Sequence, residues 1–285
     1  MALLIFVSII WGMTYGINSD AVRFIPPQWM SLFYVCTGFL IFFPFLLQSD
    51  CNGKRMQCMA IGAVQLGLMY FFYEWSFFFL PGGTVALLSV TTPIYIALIG
   101  DGIGRKFRPK YLAFATLIVT LTYFPMAKAN GNFPHWQGIL CSQLTNFCYA
   151  LGQISYCKLH RKVAIGDRGA MAWHYLGALC ILLPLTFIFP WQLAKSDGNL
   201  LRVSCELVFL GPICCGLGNY LWNKGICHAK ASQILAFNNL PILLGIAFGA
   251  IFFHEPLGGI FRISSIVAVL FLCLSCHRFF PDQPS

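Results

Sequence analysis

The sequence predicts an all-α polytopic membrane protein of ten transmembrane helices, built as two inverted five-helix repeats with N-in and C-in topology. Three observations lead there. Of 285 residues, 58% are apolar and only 9% charged, with a mean hydropathy of +0.74, which is too apolar for a single soluble core. The charges fall in short clusters between apolar stretches of about twenty residues, the helix length that crosses about 30 Å of hydrocarbon. Finally, a short pattern recurs at a constant offset of 148 residues, as expected of an inverted repeat. The period-2 alternation of outer-membrane strands is absent. In a bilayer core without water, each segment must then satisfy its own backbone, which selects helices.

The predicted spans are 2–22, 29–47, 57–79, 84–101, 110–127, 136–157, 170–190, 205–224, 232–253 and 258–276. The first starts at Met1 with no basic flank and no small-residue cleavage pattern before Asp20, so it reads as a retained span rather than a signal peptide. Span three carries Glu74, the one acidic residue deep inside an apolar stretch. An ionisable group there costs roughly 2.5–3.5 kcal/mol even on a lenient insertion scale, which makes it a functional candidate by default. Spans four and nine contain Pro93 and Pro241, each of which lacks an N–H and releases the carbonyl four residues earlier, at Ser89 and Phe237. Span seven holds His174 near its cytoplasmic end; a lone histidine there is more often packed than functional. Span ten closes on Cys273, Leu274, Ser275, Cys276 and His277, the spacing of covalent haem attachment. Only eight residues follow, too few for a haem pocket, so helix-end packing is expected instead.

With the N-terminus inside, thirteen of the eighteen Lys and Arg residues are cytoplasmic and five are outside. The net charge of +9 then follows topology and the anionic inner leaflet rather than nucleic acid, which is not an expected partner. The thirteen cysteines lie mostly within apolar spans, where they act as small hydrophobes, and no structural disulfide is expected.

Residues Thr84, Val85, Ala86, Leu87, Leu88 and Ser89 lead to Pro93, as Ser232, Gln233, Ile234, Leu235, Ala236 and Phe237 lead to Pro241. The repeats are placed at 1–127 and 136–276, with a short cytoplasmic tail at 277–285. Trp11 and Gly12, together with these two proline-bearing runs and the following His254, Glu255 and Pro256, resemble motifs of the drug/metabolite transporter superfamily, of the ten-span EamA-like type. Trp222, Asn223, Gly225, Ile226, His228, Ala236 and Pro241, with the pair Tyr73 and Glu74, look similar to the bacterial aromatic-amino-acid exporters within it. The first half departs from the pattern: Gly100, Asp101 and Gly102 stand where a closing Glu is expected, and span two has no Arg.

Substrate sites of repeat-built transporters lie near the midplane at the repeat interface, so depth selects the candidates. Trp11, Gln65, Tyr70, Asn146, Tyr149, Asn219 and Asn239 sit near their span centres. Tyr70 and Glu74 share a face of span three, and Asn219, Trp222 and Asn223 share one of span eight. Amides can bond either charged group of an amino acid, aromatic faces can hold a cation or a ring, and Glu74 can pair an ammonium or take up a proton. The alternative for each amide is a helix-packing hydrogen bond worth about 0.6 kcal/mol. Pro93 and Pro241 are the expected helix-break positions of the pathway.

These features predict a secondary transporter, exporting or exchanging a small polar metabolite, most simply an amino acid or related amine. A nucleoside, cofactor or drug-like cation is the alternative cargo, and the proton is the candidate coupling ion. The expected location is a bacterial inner membrane. No phosphate-binding loop is present to use ATP. No His-Glu-x-x-His, Gly-x-Ser-x-Gly or paired membrane carboxylates support the rival, a lipid-modifying membrane enzyme. No catalytic residue, cofactor or metal site is expected. A channel would show rings of like charge or a filter loop.

Overall fold

A computed structural model of the protein describes residues 2–47, 53–104, 109, 113, 116–117, 135–163, 165–189, 200–229 and 231–252. All regular structure among the described residues is helical. The chain runs through α1 (Ala2–Ala21), α2 (Pro27–Phe42), α3 (Arg55–Gly62), α4 (Met69–Phe79), α5 (Gly82–Leu88) and α6 (Thr92–Gly104). It continues as α7 (Trp136–Lys162), α8 (Asp167–Ile188), α9 (Leu200–Val208), α10 (Asn219–Ile226) and α11 (Ala231–Phe252).

Several of these merge. A π-helical segment, Ala63–Leu68, joins α3 to α4, and a second, Phe209–Gly218, joins α9 to α10. The wider π turn of the second accommodates Pro212, which has no N–H to donate. A 3₁₀ turn, Ser89–Thr91, joins α5 to α6 just before Pro93. Proline at the first turn starts α2, where an N–H would have no intrahelical partner.

Among the described residues six helices are long and apolar enough to cross a membrane: Ala2–Ala21, Pro27–Phe45, Arg55–Phe79, Gly82–Gly100, Asp167–Ile188 and Leu201–Ile226. Phe237–Gly249 is a shorter apolar stretch. These are counterparts of predicted spans one to four and seven to nine. The predicted sixth span lies in α7, which carries Gln137, Gln143, Asn146 and Gln153 and ends on His160, Arg161 and Lys162. Predicted spans 110–127 and 258–276 lie almost wholly outside the described residues, as do His254, Glu255, Pro256, the Cys273–His277 motif and the tail.

The bundle has its polar groups inside and apolar groups outside, the reverse of a soluble domain. Ser8, Asn18, Gln65, Glu74, Asn146, His174, Asn219 and Asn223 are buried, while Phe6, Ile9, Leu40, Leu140, Phe187, Leu217 and Phe252 are exposed. Such a surface suits lipid and would be untenable in water. The protein is an integral membrane protein.

Packing is reciprocal between the two halves of the chain. The segment Ala63–Leu68 packs on α8, and Phe209–Gly218 packs on α2; α2 and α8 also pack on each other. Helix α1 packs mainly on α11, and α7 mainly on α4 and α6. The tightest approach is between α3 and α8, where a Cβ on Gly62 would strike the His174 backbone and one on Gly177 would strike the Met59 backbone. A lower apolar cluster including Leu4, Tyr156, Trp222, Ile226 and Cys227 closes one end of the bundle. At the other end Arg202 pairs with Asp20 of α1 and with Glu206.

One expectation is corrected. Cys157 at the end of α7 and Cys227 just beyond α10 form a disulfide, with Cα atoms 5.0 Å apart and a sequence separation of 70. Nothing local in the sequence pairs them; the docking of α10 against α7 does.

Candidate substrate cavity

A cavity of about 110 Å³ opens between α1, α2, α4, α7, α10 and α11. Its wall on α1 is built by spacing: Trp11, Thr14, Tyr15 and Asn18 follow at three- and four-residue intervals and so share one helix face. Trp11 stacks at a tilt on Trp222, with ring centroids 4.8 Å apart, and meets Tyr149 edge-on at 6.2 Å. Its indole N–H donates to the Cys214 carbonyl at 3.1 Å, fixing the ring between the two π-linked halves of the α9–α10 span.

Seven of the twelve singled-out positions line this cavity: Trp11, Tyr70, Asn146, Tyr149, Asn219, Trp222 and Pro241. Asn219 donates to the Tyr70 hydroxyl at 2.9 Å and to the Cys215 carbonyl at 2.8 Å. Asn146 donates to the Leu88 carbonyl at 3.0 Å and to Thr91 Oγ1 at 2.8 Å, serving backbone and hydroxyl at the interruption before Pro93. The carbonyl that Pro93 releases, on Ser89, accepts from Thr92 Oγ1 at 2.8 Å. The defect expected at Ser89 is thus satisfied by protein.

The other five lie off the wall. Gln65 and Asn223 bond each other, Nε2 to Oδ1 at 2.9 Å, one helical turn beyond the cavity, and Asn223 Nδ2 reaches Met171 Sδ at 3.6 Å. Asn239 is fully buried beside Asn238, which does line the cavity. Pro93 sits behind Thr92 and Ser89, which line it. Glu74 is fully buried behind Tyr73, and neither carboxyl oxygen has a hydrogen-bond partner among the described residues. His174 is buried, with Nδ1 at 2.7 Å from the Ala170 carbonyl and its ring edge-on to Tyr156.

Ser89, singled out for the carbonyl that Pro93 releases, also lines the cavity, while sequence reasoning missed Thr14, Asn18, Tyr34, Tyr73, Thr92, Thr145 and Asn238. For Thr14 and Asn18 the periodicity with Trp11 carried a signal. Tyr34 had none: its hydroxyl meets the cavity by donating to Asn18 Oδ1 at 2.9 Å across two helices.

Among the described residues no Asp, Glu, Lys, Arg or His belongs to the lining. The polar groups it offers are amides, hydroxyls, phenols and indoles around an aromatic body. Two of these, the Tyr149 hydroxyl and the Trp222 indole N–H, are buried beside each other with no further hydrogen-bond partner among the described residues. Buried donors of this kind are normally satisfied, and here each has, among the described residues, only the other within reach. Among the described residues no group of three or more His, Cys, Asp or Glu is arranged to hold a metal.

Residues 1–125 and 136–276 match the profile of the EamA-like transporter family. The chain is 29% identical over 261 residues to the "Biotin transporter" of Salmonella typhimurium strain LT2, covering 90% of this chain and 85% of that one. It is 27% identical to the "Biotin transporter" of Escherichia coli strain K12, with the same coverage. It is also 27% identical to the "Probable biotin transporter" of Pseudomonas aeruginosa, covering 90% of each chain. A solved crystal structure of another protein superposes with a TM-score of 0.70 over 97% of this chain and 94% of that one, at 16% identity, a likeness of fold alone.

Proposed function

The chain belongs to the EamA-like transporter family, and from that footing we propose that it carries biotin, or a small metabolite of the same ureido-carboxylate type, across a bacterial cytoplasmic membrane by alternating access to the cavity. The family makes it a transporter rather than an enzyme. The observation that carries the cargo is the agreement of three relatives named for biotin, matched over at least 85% of their length.

The cavity chemistry supports the same reading. Biotin offers a ureido group with two N–H donors and a carbonyl, an apolar bicycle and a carboxylate on an alkyl chain. The bicycle fits against the Trp11–Trp222 wall. The neighbouring donors on Tyr149 and Trp222 suit a carbonyl or carboxylate oxygen, and amide oxygens suit the ureido N–H groups. A binding mode in which two repeats rock around a midplane site follows the family's inverted-repeat design.

Amino acids are the second reading, supported by the aromatic wall. It is weakened because Glu74, the group expected to pair an ammonium, stands behind Tyr73 rather than in the lining. One assay separates the two. Proteoliposomes should accumulate labelled biotin faster when preloaded with unlabelled biotin, and amino acids should fail to substitute. Acceleration by amino acids but not biotin would reverse the assignment. Trp222→Phe, which keeps a ring and removes the N–H, should weaken biotin about 5-fold, the worth of one hydrogen bond; unchanged affinity would remove Trp222 from the site.

A further inference from the structure

We propose that the Cys157–Cys227 disulfide is a reversible lock on one end of the carrier: with the bond closed that end of the bundle stays shut, and reduction to two thiols releases it. This rests on the alternating-access reading above.

The bond lies where a lock has leverage. Helices α7 and α10 each contribute to the cavity wall and then run toward the same end of the bundle. On α7, Tyr149 lines the cavity and Tyr156 packs in the lower apolar cluster; on α10, Trp222 does both and Ile226 follows it into the cluster. Cys157 and Cys227 come next along the two segments, and their bond joins one to the other at the edge of that cluster. Eight residues separate Tyr149 from Cys157, a rise of about 12 Å along the helix, so the crosslink stands away from the cavity with the apolar cluster between them.

Opening this end for cargo means parting Tyr149 and Tyr156 from Trp222 and Ile226 along the seam between α7 and α10. The two cysteines have to part with them. A disulfide holds its Cα atoms within about 7 Å. Here they are 5.0 Å apart, which leaves the seam no room to widen by the thickness of a ring system. The structure shows the bonded seam and the closed end together: Leu4, Tyr156, Trp222 and Ile226 are all buried, and the buried Gln65–Asn223 pair is bonded next to them. Two thiols impose no such limit.

The surroundings suit exchange. Cys157 is half-buried and Cys227 is buried, so a small disulfide reaches Cys157 first. Lys158 and Arg161 follow Cys157, Lys224 precedes Cys227, and the His160 and His228 rings meet edge-on at 5.9 Å. The lysines and the arginine attract an anionic small disulfide of the glutathione type. The Cys157 thiol gives up its proton and attacks that disulfide, releasing one small thiol; the Cys227 thiol then displaces the second from the mixed disulfide. Two protein thiols are oxidised, one small disulfide is reduced to two thiols, and the protons leave on those thiols. Excess small thiol reverses both steps. The same basic residues make this the end expected to face the cytoplasm, where disulfides are as a rule transient and redox-sensing. Oxidising conditions would stop the carrier there, and their passing would restart it.

The test treats purified protein with oxidised glutathione or with dithiothreitol and measures the Cys157–Cys227 bond by mass spectrometry of unreduced peptides. Biotin counterflow after reconstitution should fall in proportion to the bonded fraction and return in full with dithiothreitol. Protein carrying Cys157→Ser and Cys227→Ser together should exchange equally after both treatments. A second readout needs no substrate: Cys58, fully buried in the same apolar cluster, should be modified by a maleimide in the reduced protein, once the reductant is removed, and stay protected in the bonded one. Undiminished counterflow in fully bonded protein, equal Cys58 protection in the two forms, a double variant as sensitive to oxidant as the wild type, or no bond under oxidant would each overturn the lock. Absent counterflow in reduced protein, beside a Cys58 response, would reject the biotin reading and leave the lock standing.

Discussion

Asn219 is the side chain on which the cavity turns. Its amide ties Tyr70 of one half of the chain to the Cys215 carbonyl of the other, with all three groups buried. Replacing it by alanine leaves a buried phenol and a carbonyl short of a donor, a loss of about 1–3 kcal/mol. Asn219→Ala should therefore lower the thermal transition of the detergent-solubilised protein and weaken biotin stabilisation together. A variant with wild-type melting and binding would assign Asn219 a peripheral role. Residues of this kind were legible in the sequence because polar groups deep in apolar spans are few and expensive. Their partners were not: Gln65 and Asn223 stand 158 residues apart, and only the crossing of their helices shows that they bond each other instead of a substrate.

Among the elements, the two π segments set how the walls meet. A π turn carries an extra residue, so it rotates the helix beyond it and re-aims the side chains that follow. In the first span those are Met69, Tyr70 and Tyr73; in the second they are Asn219 and Trp222, all in the cavity wall. The first segment lies against the Ala178 backbone through Gly67, and α3 just before it meets α8 backbone to backbone, with Gly62 against His174 and Gly177 against Met59. Gly62→Ala inserts a methyl where backbone already sits, so α3 and α8 must separate. We expect a cost of about 1–3 kcal/mol, read as a lower midpoint in thermal unfolding, with the α3 contact rather than the cavity disturbed. An unchanged midpoint would show that the two helices yield freely. Sequence periodicity placed these spans well but assumed a uniform 3.6-residue turn. Tyr70 and Glu74 both follow the π turn in the regular helix α4, and Glu74, one turn beyond Tyr70, falls outside the lining that Tyr70 and Tyr73 form.

At the scale of the whole molecule the halves are interleaved. Helix α1 packs on α11 and α10, while α7 packs on α4 and α6, so each half lends its first helix to the other. Neither should bury its polar face alone. Residues 1–130 expressed by themselves should fail to give a monodisperse species on size-exclusion chromatography, whereas co-expression with 131–285 should restore biotin counterflow. A stable first half on its own would mean that the interleaving is not needed for folding.

What the sequence determined by itself was the class of solvent and the elements suited to it: long apolar helices, the proline-broken spans, the transporter family and a short list of intramembrane polar residues. These follow from composition and length, because transfer into hydrocarbon is paid residue by residue. The tertiary structure decided which of those residues line the cavity, which bond one another and which cysteines join. Facing is a property of helix rotation and crossing, and those depend on the neighbour across the interface rather than on the order of residues along the chain.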